Sequence, residues 1–232
     1  MLLEHGRRLL REAEAAVGAT KRAAAGETGV LRFAAGPVPR AAILPALRYE
    51  LEERFPTLMV DVADDIGDSI IEAVLHGAAD VGLMLCAPAH AEIEMKLLRR
   101  DRAMAVMHST HPLAQRESVR AADLAAHPLV LWPRELAEEA HDVVLTIFQE
   151  QEPADIHVAN LYGGAFWQEM RDGSFAVVPL SAAVSGDFAT VPIKDADVEF
   201  TMSMLWNRHA PPQLLPGLVE AADAAIARNN WL

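Results

Sequence analysis

Hydrophobic and polar residues repeat along the chain with two different periods. Residues 2–25 place leucine, alanine and valine at helical spacing between charged residues, which predicts a long amphipathic helix. Short apolar runs at 30–35, 58–63 and 80–85 predict strands, and the amphipathic segments between them predict helices. The order strand, helix, strand, helix, strand favours a parallel arrangement with helices on both faces of a sheet.

A second alternating block follows the first without a low-complexity linker, so we expect two small α/β lobes packed side by side. Asp65 or Asp68 is expected to cap the helix that begins near residue 69. Ligands of open α/β sheets bind at the carboxyl ends of strands, and here those ends face the crevice between the lobes. The patterns further predict one helix over 40–54, two strands over 93–98 and 103–107, and a helix over 164–171.

Charge and composition exclude several classes of function. The chain of 232 residues has a net charge of −13, which repels phosphate backbones, so this chain alone is not expected to bind DNA. The single cysteine, Cys86, excludes an internal disulfide and a zinc cluster of cysteines, and is expected to be a core residue. Charges run through residues 1–25 and no later stretch is long and apolar enough to span a membrane, so we expect a cytoplasmic protein with no membrane partner.

No motif for catalysis, a metal or a cofactor is recognisable. The nine histidines form no HxxxH pair, no serine lies in a GxSxG motif, and glycine-rich phosphate loops are absent from the sequence. The acidic residues between 61 and 68 suit a cation, but a solvated strand-to-helix connection explains them better. We therefore predict no catalytic residues, no metal and no cofactor, and a protein that is not an enzyme.

Several phrases, in this order, closely resemble the effector-binding region of LysR-type transcriptional regulators. Residues 3–10 further resemble the start of that family's linker helix. The phrases are Leu31-Arg32-Phe33-Ala34-Ala35-Gly36, Ile43-Leu44-Pro45-Ala46-Leu47 followed by Arg54-Phe55-Pro56, His76-Gly77-Ala78-Ala79-Asp80-Val81-Gly82-Leu83, His111-Pro112-Leu113-Ala114, Asp123-Leu124 to Pro128-Leu129-Val130, and Met170-Arg171-Asp172-Gly173 to Val178-Pro179.

This resemblance implies an α/β, two-lobed, periplasmic-binding-protein-like (type 2) fold with an N-terminal linker helix. Residues 1–28 would form the linker and dimerisation helix, residues 29–98 plus 193–232 the first lobe, and residues 99–192 the second. The implied function is to bind a small-molecule inducer in the cleft of a dimer or tetramer. Promoter DNA would be bound only by a winged helix-turn-helix, which is absent from this sequence, so we expect a fragment or a truncated gene product.

The family's effector contacts map onto four short segments of this chain. If the inducer carries a carboxylate, Arg134 and the Tyr162 hydroxyl are the expected donors. Proline in the first segment weakens an anion site at that helix start, because proline supplies no N–H. The segments are Gly36-Pro37-Val38, Ile66-Gly67, Trp132-Pro133-Arg134 and Tyr162-Gly163.

Other interpretations remain open at this point. A solute-binding protein of a transport system would share the fold, although the charged first residues argue against a secretory signal. An enzyme built on the fold, such as a deaminase or dehydratase, needs a nucleophile or acid–base set, for which Cys86 with Asp64 and Asp65 is too little. A fourth interpretation, after the regulator, the solute-binding protein and the enzyme, is a module that only oligomerises. For Trp132 and Arg134, a core tryptophan beside a surface arginine is as good an interpretation as a pair of ligand contacts.

Overall fold

The computed structural model describes residues 29–160, 163–182, 184 and 186–232. The helix predicted over residues 2–25 lies outside the described residues. In the described part of the chain, every helix is too short or too polar to cross a membrane.

The described strands join into one mixed sheet. In chain order they are β1 (Gly29–Ala35), β2 (Leu58–Asp64), β3 (Val81–Leu85), β4 (Ile93–His108), β5 (Pro128–Leu131), β6 (Asp155–Val158), β7 (Phe175–Pro179), β8 (Phe188–Pro192) and β9 (Glu199–Asn207). Their order across the sheet is β2-β1-β3-β9-β4-β7-β5-β6, and β8 also pairs with β4. β1 pairs in parallel with β2 and β3, as predicted for the first block.

Helices connect the strands and pack against the sheet. In chain order they are α1 (Pro37–Ala42), α2 (Leu44–Arg54), α3 (Asp68–Leu75), α4 (Ala121–Ala125), α5 (Glu138–Thr146) and α6 (Leu215–Asn229). Two 3₁₀ helices cover Arg134–Leu136 and Gly163–Glu169.

The two largest hydrophobic clusters of the described residues divide the molecule into two lobes. Phe33 and Leu47 are buried in the core on the β2-β1-β3 side, which we call lobe I, and Phe148 and Phe175 are buried in the core on the β7-β5-β6 side, which we call lobe II. β4 pairs antiparallel with β9 through residues 93–102, and both strands supply residues to both cores. The predicted boundaries at residues 98/99 and 192/193 stay predictions, since β4 passes through the first of them without a break.

β4 corrects the prediction of two separate strands. It is one strand of 16 residues, with a bulge in its pairing to β9 between Leu97 and Arg99. Charged residues lie between the two predicted strands, and the structure gives them hydrogen-bond partners. Asp101, which is buried, accepts hydrogen bonds from Arg99 Nε at 2.8 Å and from the Ser181 N–H at 2.9 Å. A buried carboxylate with two donors is compatible with a continuous strand.

The prediction of one helix over 40–54 is also wrong. The segment forms α1 and α2, which meet at Ile43. Pro45 is the second residue of α2, and a proline ring clashes with the carbonyl four residues earlier, so a single helix cannot continue through it. α1 begins earlier than predicted, with Pro37 as its first residue, where the missing N–H costs nothing.

Neither Asp65 nor Asp68 caps α3, contrary to prediction. Gly67 holds the N-cap position and has a positive φ of 57°. Asp65 Oδ1 instead accepts the N–H of Ile66 at 2.9 Å, and Asp68 lies in the first turn of the helix. The α-helix predicted over 164–171 is the 3₁₀ helix Gly163–Glu169, in keeping with the poor helix propensity of its two glycines.

Candidate functional site

A cavity of about 260 Å³ lies between the two lobes. Lobe I contributes Gly36, which follows β1, and Leu85, the last residue of β3. Lobe II contributes Trp132, which follows β5. The cavity therefore lies at the carboxyl ends of strands, where sequence analysis expected a ligand site.

Six of the ten predicted contact residues line this cavity: Gly36, Pro37, Val38, Ile66, Gly67 and Trp132. Pro133, Arg134 and Gly163 are not among the described lining residues. Tyr162 lies outside the described residues. The structure thus brings both lobe I segments and one lobe II aromatic together, while the ligand-binding role of all ten residues stays a prediction.

An aromatic wall on the lobe II side was missed by sequence analysis. The ring of Phe166 packs edge-on against Trp132 at 6.1 Å between centroids and against Trp167 at 5.4 Å. Trp167 in turn contacts Phe188 at 5.6 Å. Phe166 and Trp167 both line the cavity. The sequence signal for this wall was the adjacent pair Phe166-Trp167, because residues near a helix start in a cleft commonly contact ligands.

Gly67 brings the two lobes into direct contact at the cavity rim. A Cβ placed on Gly67 would lie 2.4 Å from the carbonyl oxygen of Leu136 and 3.1 Å from its carbonyl carbon. Gly67 follows β2 of lobe I, and Leu136 ends the 3₁₀ helix Arg134–Leu136 of lobe II. Only glycine can lie this close to the Leu136 carbonyl, because it has no Cβ. The positive φ of residue 67 also favours glycine at this position.

Arg134, the expected carboxylate donor, is held by acidic residues of its own lobe. Its Nε lies 2.9 Å from Asp142 Oδ1 and its Nη2 lies 2.8 Å from Asp142 Oδ2, a bidentate pair, and Nη2 also contacts Glu138. Hydrogen bonding to Arg134 lowers the pKa of Asp142 to about 2, and the same pairing raises the pKa of Arg134. The guanidinium is thus neutralised within lobe II.

A family model, the LysR substrate binding domain, matches residues 24–226, which is most of the chain. This chain belongs to the LysR substrate-binding domain family.

Curated relatives of this LysR substrate-binding domain are transcriptional regulators. HTH-type transcriptional regulator TcbR of Pseudomonas sp. (strain P51) is 27% identical over 222 residues, which cover 94% of this chain and 76% of TcbR. The crystal structure of CbnR, a LysR family transcriptional regulator, is 26% identical, with a TM-score of 0.79 over 95% of this chain and 78% of CbnR. The family model and these relatives confirm the predicted effector-sensing role in transcription regulation.

The two-lobed fold is confirmed by structures of isolated effector-binding domains. The BenM effector-binding domain with its effector benzoate is 20% identical to this LysR substrate-binding domain. The two superpose with a TM-score of 0.75 over 88% of this chain and 94% of that one. At this identity the likeness concerns the fold alone.

The helices that begin at the cleft of this LysR substrate-binding domain are poorly suited to bind an anion. In the first three positions of α1, Pro37 and Pro39 lack an N–H. α3 carries Asp68 in its first turn, and α5 carries Glu138 and Glu139. Carboxylates in the first turn already offset the positive end of the helix dipole.

The acidic connection after β2 forms local contacts. Asp64 makes an ion pair with Arg40 of α1. Throughout the described ranges, no group of three or more histidine, cysteine, aspartate or glutamate residues is arranged to hold a metal ion.

Proposed function

We propose that the cavity between the lobes binds a small-molecule effector and that the bound effector controls DNA binding by the longer protein in which this domain acts. The observation that carries the proposal is that both lobes line one cavity. A ligand there contacts lobe I through Pro37 and Ile66 and lobe II through Trp132 and Phe166. Because it touches both lobes, it stabilises the arrangement of lobes in which those contacts are made.

The lining of the cavity supports a sensor and not an enzyme. Among the described lining residues, no side chain carries a hydroxyl, thiol, imidazole or carboxylate. Nucleophilic and acid–base catalysis depend on such groups. We infer a non-catalytic protein of the cytoplasm, the compartment in which promoter DNA is accessible.

Self-association as a dimer or tetramer is part of the proposed function. Apolar side chains are exposed at both edges of the sheet: Met59 of β2 is 68% exposed and Val158 of β6 is 50% exposed, with Ile156 beside it at 41%. Edge strands with exposed apolar side chains favour pairing with another surface. Light scattering coupled to size-exclusion chromatography tests this, and a monomer at all concentrations up to about 100 µM, well above a micromolar Kd, contradicts it.

A thermal-shift screen with matched variants tests effector binding. The screen covers carboxylates, amino acids, amines and neutral metabolites, because a ligand of the folded state raises the Tm by mass action. Ala41 of α1 and Ala227 of α6 are both exposed, but only Ala41 is among the described residues that line the cavity. We expect at least one compound to raise the Tm of wild type and of Ala227→Trp but not of Ala41→Trp.

Two results contradict the proposed site. One is a ligand that stabilises Ala41→Trp as well as wild type, which places binding elsewhere. The other is a folded protein whose Tm none of the compound classes changes.

A further inference from the structure

We propose that the effector is an uncharged, largely apolar molecule of one or two rings. This inference rests on the proposed function and concerns the chemistry of the same cavity.

The described lining of the cavity has no charged side chain to offer a ligand. Every described lining residue is glycine, alanine, proline, an aliphatic residue, methionine, phenylalanine or tryptophan. The four internal residues outside the described ranges, at positions 161, 162, 183 and 185, are leucine, tyrosine, alanine and serine, which are also uncharged at neutral pH. A carboxylate or ammonium that loses its water in such a cavity gains no compensating partner.

Two arginines that lie close in sequence to cavity-lining residues are already paired. Arg134 is bound by Asp142 and Glu138, and Arg40 by Asp64. To bind an anionic ligand, either arginine must first give up an acidic partner. The helix starts give no substitute, because proline removes N–H groups from α1 and Asp68 occupies the first turn of α3.

The aromatic wall and the cavity volume suggest rings as the ligand's main feature. Trp132, Phe166 and Trp167 offer ring faces and edges for stacking. A dry cavity of about 150 Å³ accepts benzene in another protein, so about 260 Å³ suits one or two rings.

The side-chain donors of the described lining suit a neutral oxygen. The indole N–H groups of Trp132 and Trp167 are the side-chain donors of the described lining, and Trp132 Nε1 is buried without a hydrogen-bond partner among the described residues. An ether, hydroxyl or carbonyl oxygen satisfies such a donor without bringing a charge.

Calorimetric titration with matched probe pairs tests the inference. The pairs are indole against indole-3-carboxylate and 2-naphthol against 2-naphthoate, at pH 7.5, where only the second member of each pair is anionic. We expect the neutral member to bind at least about tenfold more tightly, a difference of roughly 1.4 kcal/mol. Repeating the titrations at about 0.5 M salt reduces the long-range effect of the net charge, so a difference caused by the cavity itself persists.

A pair of lysine variants tests the cause of the preference. Ala41→Lys puts a cation at the cavity, and Ala227→Lys changes the net charge equally at an exposed position of α6. Only Ala41→Lys is expected to improve binding of the carboxylate probes, by about tenfold for a new partly desolvated ion pair.

The possible outcomes separate the inference from the proposed function. Tighter binding of the carboxylate members, lost in Ala41→Trp, overturns the uncharged-ligand inference and leaves the effector site intact. Equal binding of both members at high salt, or no effect of Ala41→Lys, also overturns the inference. Neutral probes that bind Ala41→Trp as well as wild type overturn the site, and with it both proposals.

Discussion

Replacing Gly67 by alanine tests how closely the two lobes are held at the cavity rim. The added Cβ lies 2.4 Å from the Leu136 carbonyl oxygen, so the two must separate by about 1 Å to reach an ordinary van der Waals contact. The positive φ of 57° adds backbone strain of about 1–3 kcal/mol for a residue other than glycine. Separation of the lobes relieves the clash but not the strain.

We therefore expect two measurable effects of Gly67→Ala. The free energy of unfolding falls by about 1–3 kcal/mol, measured by urea denaturation followed by tryptophan fluorescence. Indole binding weakens by about tenfold, because a gap of about 0.5–1 Å removes a quarter to a half of each contact energy across the cavity.

Gly36→Ala is the matched control. Gly36 has an ordinary φ of −66°, and a Cβ there meets its nearest atoms at 3.7–3.8 Å. Its free energy of unfolding should change by no more than about 1 kcal/mol. If Gly67→Ala is as stable as Gly36→Ala and binds indole as wild type does, the close contact with Leu136 does not hold the lobes together.

Three further substitutions or treatments have defined expectations. His111 is buried, accepts the Leu113 N–H at Nδ1 and faces the Gly173 carbonyl through Nε2, and burial lowers its pKa. As the pH falls below about 6.5, the unfolded chain binds a proton that the folded chain resists, so the free energy of unfolding should fall by at most about 1.4 kcal/mol per pH unit. His111→Gln should reduce that slope. Asp101→Ala should lower the free energy of unfolding by about 1–3 kcal/mol in urea denaturation, because Arg99 and the Ser181 N–H lose a buried acceptor. The Cys86 thiol should react with a maleimide only as fast as the protein opens, since the side chain is buried and burial raises its pKa.

Each of these expectations has a contradicting result. An unchanged pH slope in His111→Gln shows that another group controls acid sensitivity. If Asp101→Ala leaves the free energy of unfolding unchanged, water replaces the carboxylate. Labelling of native Cys86 at the rate of a free peptide thiol places it at the surface.

The spacing of apolar residues and the positions of glycine and proline predicted the order of the elements, because apolar residues recur where an element is buried. β1 and β3 were recognisable since their apolar runs are buried on both faces of a parallel sheet. β4 was divided wrongly because its charged residues meet partners from distant segments, such as Ser181, and no local pattern contains that information.

The candidate site was predictable where it depends on strand ends and not where it depends on pairing between side chains. Gly36 was predicted to follow a strand and Trp132 to end one, and in the structure both come directly after strands. Whether Arg134 faces a ligand depends on Asp142, which lies eight residues further on a helix whose orientation the sequence does not reveal. The contribution of Phe166 was missed because its segment forms a 3₁₀ helix, which repeats every three residues.

The continuity of β4 through both lobes determines the mechanics of the domain. A strand of 16 residues extends about 50 Å at roughly 3.3 Å per residue, and β9 is hydrogen-bonded along much of it. β9 also pairs with β3, and β4 also pairs with β7 and β8, so the β4–β9 ladder is continuous with the strands of both lobes. A relative movement of the lobes therefore has to be accommodated in the backbone of these two shared strands, because no lobe boundary interrupts their hydrogen-bonded pairing.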